Sequence, residues 1–315
     1  MKGLTAIPGI RAGHASDFDA ITGATAILCE AGAVAGVDIR GSASGNEEIG
    51  TLDPGHITER IHGILLAGGS AFGLEAASGV RRYLERRGIG FDTGVAKVPI
   101  VPAAILYDLG IGKADVRPTL AMGEAAAAAA TDGPVPEGSV GAGTGATVGK
   151  ILGMRQAMKG GVGCFTVELP GGVLVASLVV VNAFGDVRDP ATGAIVAGAR
   201  LAPDSRAFAD TGEHIQRHPV PGFGGRNTTL AVVATNAGLT KVQARKLAQL
   251  ASLGMARTIY PVNTTLDGDT VFALSLGSHA AGIDALGVAA AQAVSAAILR
   301  AVKLARTLGG VPGLG

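Results

Sequence analysis

The amino-acid sequence predicts an α+β fold in which antiparallel sheet layers are flanked by helices. Strand-like apolar runs and helical patterns are interspersed along the 315 residues, and helical patterns lie towards both ends. Dense packing is expected, because 50 residues are glycine, 48% are hydrophobic and only 16% are charged. This balance excludes a disordered chain, and glycines without a three-residue period exclude collagen.

Six short apolar runs predict the strands. They are 25–28, 63–67, 162–169, 172–181, 229–235 and 271–276. The third and fourth runs flank Pro170-Gly171, and this spacing predicts a hairpin. The segment 95–106 is also apolar, but Pro99 and Pro102 favour a loop or an edge strand there.

Four segments predict helices. They are 71–87, 119–131, 240–254 and 283–307. Ser70 and Thr240 stand where their side chains can cap the first and third helices. The fourth helix is uncharged over 285–299 but contains Gln292 and Ser295, so a buried core helix fits better than a membrane span.

The remaining features concern connections, charge and compartment. The segment 190–226 is rich in proline, glycine and charge without periodicity, which predicts a linker. The net charge of +1 predicts no nucleic-acid partner. Cys29 and Cys164 lie far apart in apolar surroundings, as expected of buried thiols in a reducing compartment. The first residues lack the apolar region of a signal peptide, so we expect a cytoplasmic protein.

Two glycine-rich motifs suggest chemistry but lack its context. GAGTGA (141–146) is similar to a dinucleotide fingerprint, yet no clear strand precedes it and no acidic residue follows about twenty positions later. GGSAFG (68–73) is similar to a nucleophile elbow, but Phe72 stands where that motif needs glycine. We expect a tight loop at the first motif and a helix cap, Ser70, in the second.

Three histidines are weaker candidates. His214 and His218 lie four residues apart and could share a helical face as metal ligands, but no HExxH glutamate accompanies them. Surface positions are the simpler interpretation. His279 follows a strand and is a possible base, but no serine nucleophile is evident for it.

The segment GGRNTTLAVVATNA (224–237) contains the most distinctive chemistry. Thr228 has a hydroxyl that can attack its own preceding carbonyl and form an ester that water hydrolyses. Cleavage after Asn227 would then leave an α-amine, of pKa near ~8, beside the hydroxyl as a general base. On local sequence alone, an ordinary junction between a loop and a strand remains the alternative.

Five separated motifs together resemble one family, the DmpA-like aminopeptidases. The motifs are IPGIRAGH, LLAGGSAFGLEAASGV, GAGTGATVGK, VVVNAFGD and RNTTLAVVATNAGLTK. This family, also called L-aminopeptidase/D-esterases or β-aminopeptidases, consists of self-cleaving hydrolases with an N-terminal nucleophile. The chain is most similar to the threonine branch, which includes the 6-aminohexanoate-oligomer (nylon oligomer) hydrolases and a pantetheine-cleaving enzyme. Serine-type members have serine where this chain has Thr228.

The resemblance implies a role for each matching residue. Thr228 matches the nucleophile and Asn227 precedes the cleaved bond, while Asp267 and Asp269 match two supporting acids. Carboxylates near a new N-terminus can hold its amine and orient it against the hydroxyl. Taken alone, the two aspartates around Gly268 would be interpreted as turn residues.

Three further residues complete the implied site. Lys150 matches an active-site lysine whose charge can lower the pKa of the amine and stabilise negative charge. Asn182 matches an oxyanion-binding asparagine, and Tyr107 matches a tyrosine on the substrate side. Singly, Lys150 would be a solvent-exposed lysine and Asn182 a turn former at a strand end.

The resemblance also implies the architecture and the partners. It implies a four-layer αββα sandwich, shared with ornithine acetyltransferase-like proteins, in one hydrolase domain over 1–315. Self-processing would give an α fragment, 1–227, and a β fragment, 228–315, that stay together. The substrate would be a small amide or peptide. No metal or organic cofactor and no membrane partner are expected. The protein would assemble as a homo-oligomer, often a tetramer of αβ units.

Two alternative functions stay open at this stage. One is acyl transfer to an amine, as in ornithine acetyltransferase-like enzymes, although their usual lysine-glycine before the threonine is absent here. The other is a binding protein without catalysis that never cleaves its own chain.

Overall fold

The computed structural model describes residues 2–218 and 227–315. Within these ranges the chain forms sixteen strands and five α-helices. The strands are β1 (Arg11–Asp17), β2 (Thr22–Ile39), β3 (Gly45–Glu47), β4 (Ile61–Ala67), β5 (Phe91–Asp92), β6 (Lys97–Val98), β7 (Ala103–Ile105), β8 (Thr147–Val148), β9 (Met158–Lys159), β10 (Val162–Leu169), β11 (Val173–Asn182), β12 (Asp186–Arg188), β13 (Ile195–Ala197), β14 (Thr228–Ala237), β15 (Ile259–Tyr260) and β16 (Thr270–His279). The helices are α1 (Ala76–Glu85), α2 (Leu120–Ala128), α3 (Thr211–Arg217), α4 (Lys241–Thr258) and α5 (Ile283–Lys303).

The 18-residue strand β2 joins two sheets. Its first part pairs with β1 and β4, and its second part pairs with β16. The register with β4 shifts between Leu28 and Ala33, around Gly32, whose φ of +83° favours glycine. One sheet therefore follows the order β10-β11-β14-β16-β2 and the other continues as β2-β4-β7-β3.

Three buried clusters show how the layers stack. Ile27 and Ile64 of one sheet pack with Val180 and Phe272 of the other, which places an apolar layer between the sheets. On the outer faces, α1 and α2 cover the sheet of β4, and α4 and α5 cover the sheet of β11, β14 and β16. Val179 faces the outer helices and Val180 the inner layer, because strand side chains alternate. This four-layer αββα arrangement confirms the expected α+β fold.

Most predicted elements are confirmed, with shifted ends. The hairpin forms between β10 and β11, and Thr240 caps α4 in a capping box with Gln243. The run 25–28 is only part of β2, whose neighbouring glycines, alanines and acidic residues hide its length. For the segment 95–106 the expectation of a loop or an edge strand was wrong in part, because its strand β7 lies inside the sheet between β4 and β3.

Two further local predictions were wrong. Ser70 does not cap a helix through its side chain; it has a φ of +55° and begins a 3₁₀ helix that precedes α1. The predicted linker contains β13, which pairs with β12, and α3, which begins after the capping side chain of Asp210. These short elements depend on tertiary pairing, which leaves no periodicity in sequence. Residues 219–226 of that segment lie outside the described residues.

The predicted core helix is confirmed as α5. By length and composition it could cross a membrane, but 67% of its apolar window is buried inside the protein. It packs against α4 and the outer face of the sheet. The thiols of Cys29 and Cys164 are free and buried, as the sequence predicts.

Candidate active site

Strand register brings separated parts of the chain to one edge of the sheet. Thr228, the first residue of β14, lies opposite Asn182, the last residue of antiparallel β11. Because β14 and β16 are parallel, the residues that precede both strands lie at the same edge. Asn227 accordingly forms a bridge with Asp267, 40 residues further on in the sequence.

The bond between Asn227 and Thr228 is held in a specific geometry. The Thr228 hydroxyl donates to the carbonyl oxygen of Asn227, with 2.5 Å between the two oxygens. The backbone N–H of Gly268 donates to the same carbonyl oxygen at 2.8 Å. The Asn227 side-chain amide donates to Leu266 O at 3.1 Å, and Thr228 is only 3% exposed. The Thr228 hydroxyl and the Asn227 carbonyl are therefore buried together.

Asp269 is anchored through both carboxylate oxygens. Oδ1 accepts from Thr229 N at 2.6 Å, and Oδ2 accepts from Asn263 N at 2.9 Å. Burial, together with the neighbouring Asp267 carboxylate, raises the pKa of Asp269 to about 7 against the opposing effect of these hydrogen bonds. A carboxylate with such a pKa can exchange a proton near neutral pH.

Asp267 occupies a similar but separate polar pocket. Oδ1 accepts from Phe184 N at 3.2 Å, and Oδ2 accepts from the Thr264 hydroxyl at 2.5 Å. Burial raises the pKa of Asp267, while the Thr264 hydrogen bonds and the Lys150 charge oppose the rise. The two acids thus flank Gly268, whose N–H contacts the Asn227 carbonyl.

Asn182 is oriented by donors on one side and an acceptor on the other. Its Oδ1 accepts from Thr147 N at 3.1 Å and from Lys150 Nζ at 2.9 Å. Its Nδ2 donates to Tyr107 O at 3.2 Å. Lys150 Nζ also donates to Asn182 O at 3.0 Å. This network fixes which face of the amide presents N–H groups.

Lys150 lies in an environment that disfavours its charge. Burial, together with nearby Lys159, lowers the pKa of Lys150 to about 7, although Asp267 and Asp269 act in the opposite direction. Both protonation states are therefore accessible near neutral pH.

The structure brings all seven sequence-predicted site residues to this edge of the sheet. Thr228, Asn227, Asp267 and Asp269 lie around the bond between residues 227 and 228, and Lys150, Asn182 and Tyr107 form one hydrogen-bond network. Tyr107 enters that network through its backbone carbonyl.

Sequence reasoning missed a second layer of charge behind these residues. Lys159 is 1% exposed and donates through Nζ to Thr144 O at 2.7 Å, and burial lowers its pKa to about 7. Asp108 accepts from Gly69 N at 2.6 Å and from the Thr22 hydroxyl at 2.7 Å, and burial raises its pKa. In the sequence, only the position of Asp108 directly after Tyr107 could have indicated that this aspartate lies near the site.

The glycine-rich motif 141–146 is a tight buried loop, as predicted. Ala142 N donates to the Thr25 hydroxyl at 3.0 Å, and the loop leads directly to Thr147, whose N–H binds Asn182. Lys159 Nζ secures the same loop at Thr144 O. The loop therefore presents Thr147 and Lys150 to Asn182.

The three candidate histidines lie within α3, directly after α3 and at the far end of β16. His214 belongs to α3, and its ring lies 4.6 Å from that of His218, centroid to centroid. His279 ends β16, whereas Asp269 directly precedes the start of that strand. Among residues 2–218 and 227–315, no group of three or more His, Cys, Asp or Glu side chains is arranged to hold a metal ion.

The fold and the site together define a class of protein. A buried hydroxyl against a peptide carbonyl, with carboxylates, a lysine of lowered pKa and an oriented amide around it, provides the groups needed for acyl chemistry on amides. The αββα sandwich places these groups at strand ends, which are rigid positions. The class is that of an amide hydrolase.

Comparison with known proteins identifies the family. Residues 2–314 match the model of peptidase family S58, and the chain belongs to this family. It is 42% identical to an uncharacterized aminopeptidase of Mycobacterium bovis, over 99% of this chain and 96% of the relative. It is 34% identical to the 6-aminohexanoate-oligomer endohydrolase of Kocuria sp., over 94% of this chain and 84% of that protein.

A solved structure shows the same architecture. The β-aminopeptidase of Burkholderia sp. superposes with a TM-score of 0.69 at 26% identity, covering 100% of this chain and 91% of that one. The resemblance to DmpA-like aminopeptidases is thereby confirmed, and the protein is a hydrolase of the aminopeptidase and amide-oligomer hydrolase family.

Proposed function

We propose that this hydrolase cuts its own chain between Asn227 and Thr228 and then uses Thr228 as an N-terminal nucleophile on small amides. The observation that carries the proposal is the contact of 2.5 Å between the Thr228 hydroxyl and the carbonyl oxygen of its own preceding residue. An interior threonine normally lacks a base, and cleavage would supply one as the new α-amine.

Self-cleavage would begin with attack of Thr228 Oγ on the Asn227 carbonyl carbon. The hydroxyl proton passes to a base, for which Asp269, with its pKa near 7, is suited. Collapse breaks the C–N bond, the nitrogen takes a proton, and an ester links Asn227 to Thr228. Water then hydrolyses the ester, which leaves a carboxylate on Asn227 and a free amine and hydroxyl on Thr228.

In the processed enzyme the same hydroxyl would attack a substrate amide. The Thr228 amine takes the hydroxyl proton and delivers it to the leaving nitrogen, and the resulting acyl-enzyme is hydrolysed by water. Asp267 and Asp269 hold the amine, and the Lys150 charge favours its neutral form. The N–H groups of Asn182 support the developing oxyanion.

The proposed substrates are small peptides, amino-acid amides or amide oligomers. The relatives named above comprise aminopeptidases and a 6-aminohexanoate-oligomer endohydrolase. The resemblance to the threonine branch implies a set of four site residues, and all four are close together here: Thr228, Asp267, Asp269 and Lys150. Tyr107 and Lys150, both only partly buried, would face the substrate side.

We also propose that the two fragments remain together and assemble into homo-oligomers. β14, the first strand of the β fragment, lies between β11 and β16 in the sheet, so cleavage before it leaves all its pairings intact. Exposed apolar residues on the outer helices, Val242 and Leu253 of α4 and Val288 of α5, favour association. Light scattering on the processed enzyme measures its molar mass and therefore its oligomeric state.

Thr228→Ala tests the proposed nucleophile, with Thr235→Ala as a matched control in the same strand. We expect Thr228→Ala to lose hydrolysis of aminoacyl p-nitroanilides, β-peptides and 6-aminohexanoate oligomers, and Thr235→Ala to keep it. Hydrolysis that survives Thr228→Ala would place the nucleophile elsewhere. A wild-type enzyme that only transfers acyl groups to an added amine would be a transferase.

A further inference from the structure

The Asn227 carbonyl has a second hydrogen-bond donor whose role the residue-by-residue resemblance does not assign. Gly268 N donates to Asn227 O at 2.8 Å, and the Thr228 hydroxyl approaches the same oxygen at 2.5 Å. The nucleophile and a backbone donor therefore meet at one carbonyl before the bond is cut.

We infer that the backbone N–H of Gly268 is the oxyanion donor for self-cleavage of the Asn227–Thr228 bond. The inference rests on the proposed self-processing. As Thr228 Oγ forms its bond to the Asn227 carbonyl carbon, the π electrons move onto the carbonyl oxygen. That oxygen already accepts from Gly268 N, so the developing charge meets a donor that needs no reorganisation.

The chain around Gly268 holds this donor rigidly. On one side Asp267 O accepts from Ala43 N at 2.8 Å, and on the other Asp269 O accepts from Arg40 N at 3.1 Å. The carboxylates of Asp267 and Asp269 are themselves hydrogen-bonded on both oxygens. The N–H at 268 is therefore fixed by contacts on both sides in the sequence.

The position also requires glycine. A Cβ at 268 would lie 2.7 Å from the Thr228 hydroxyl and 2.7 Å from Ala43 O, closer than carbon and oxygen atoms can approach without displacement. The nucleophile thus fits into the space that the missing side chain leaves. Only glycine lets the donor and the hydroxyl approach the same carbonyl.

Asn182, the oxyanion-binding residue that the resemblance implies, is oriented by other partners. Its Nδ2 donates to Tyr107 O, and its Oδ1 accepts from Thr147 and Lys150. The contact that assigns a donor to self-cleavage is that of the Gly268 amide with the Asn227 carbonyl.

Replacing the amide at position 268 by an ester tests the inference directly. Glycolic acid incorporated in place of Gly268 removes the N–H and adds no side chain. We expect self-cleavage to slow by about 10²–10³-fold, the usual loss for one oxyanion donor. The rate is measured as the appearance of the fragment 228–315 by intact mass. Intact mass also distinguishes self-cleavage from chemical hydrolysis of the new ester, which would cut the chain at position 268 instead. Glycolic acid at Gly171, in the exposed turn between β10 and β11, is the matched control.

A rate within about threefold of wild type would overturn the inference. A second measurement covers an ester variant that folds poorly. In the uncut Thr228→Ala protein, we expect NMR to detect a scalar coupling through the hydrogen bond between Gly268 N and the Asn227 carbonyl carbon, and its absence would also refute the role. If wild type cleaves and Thr228→Ala does not, the proposed function stands whichever result the Gly268 ester gives.

Discussion

The two ends of strand β14 bury polar groups of different kinds. At its start, Thr228 lies near two buried acids and a lysine whose pKa burial lowers to about 7. At its far end, Asn236 accepts from Leu174 N at 2.8 Å and donates to Gly172 O at 2.9 Å, and Ser275 donates to Ala237 O at 2.7 Å. The far end satisfies these backbone groups with neutral side chains.

The two ends of one strand thus bury two kinds of polar group: neutral groups that stabilise the sheet and ionisable groups that can take part in a reaction. A neutral amide that makes both of its hydrogen bonds stabilises the sheet at little desolvation cost. A buried charge costs far more and is kept where its protonation serves the chemistry. The start of β14 retains several such charges, so we expect substitutions there to affect reactivity and substitutions at the far end to affect stability.

The largest effect is expected from Asp269→Asn. The amide cannot take up the Thr228 proton, and it offers one acceptor where the two oxygens now accept from Thr229 and Asn263. We expect self-cleavage to slow at least ~10²-fold, as for loss of a general base. Quantifying uncut chain over time measures this. The control Asp53→Asn, in a surface loop, should cleave itself at the wild-type rate. A wild-type rate for Asp269→Asn would contradict the proposed difference between the two ends of β14.

Lys150→Met should remove one limb of the pH profile. Asp269, with a pKa of about 7, must lose its proton to act as base, so the self-cleavage rate rises towards pH 7. We expect the charge of Lys150 to stabilise the negative charge that develops during self-cleavage. Lys150 also has a pKa of about 7 and loses its charge as the pH rises further, so the rate then falls. Freshly translated wild-type precursor should therefore show a bell-shaped profile near pH 7. The variant should be slower and lack the alkaline fall; an unchanged alkaline limb would exclude Lys150.

Lys159→Met should change how stability depends on pH. Burial lowers the folded pKa of Lys159 to about 7 from 10.5, so between these values the unfolded chain binds more protons. The lysine therefore adds up to ~1.4 kcal/mol per pH unit to the free energy of unfolding as the pH rises through that window. Melting curves of Thr228→Ala, with and without Lys159→Met, measure this at pH 7 to 10. We expect the protein that retains Lys159 to gain stability relative to the double variant as the pH rises. A stability difference that stays constant from pH 7 to 10 would refute the lowered pKa of Lys159.

Asn236→Ala should give the smallest effect on activity. It leaves Leu174 N and Gly172 O without their partner, at a cost of ~1–3 kcal/mol in unfolding free energy. We expect a lower melting temperature with kcat within about twofold of wild type. A large fall in kcat in the folded variant would show that the far end also serves catalysis.

Much of the site could be predicted because its residues carry sequence motifs. Thr228 and Asn182 are opposite partners in register, and Asp267 and Asp269 precede the strand parallel to β14, so recognisable segments converge at one edge. The hairpin and the capped helix α4 were predictable because turn and cap chemistry is local.

The rest depends on contacts that leave no local pattern. In the inferred role Gly268 uses a backbone N–H, which every residue but proline possesses, and only the nearby Thr228 hydroxyl and Ala43 O reveal why it is glycine. Lys159 is an ordinary lysine in sequence, and its burial follows from packing beneath the loop at Thr144. The length of β2 depends on two different partner strands, β4 and β16.

The most direct test of the central claim is the intact mass of the purified protein, with the N-terminal sequence of any smaller fragment. The account predicts two fragments, 1–227 and 228–315, the second beginning with Thr228, and a single chain of 31.1 kDa for Thr228→Ala. A wild-type chain that stays at 31.1 kDa while it hydrolyses amides, or a cut at any other bond, would contradict it.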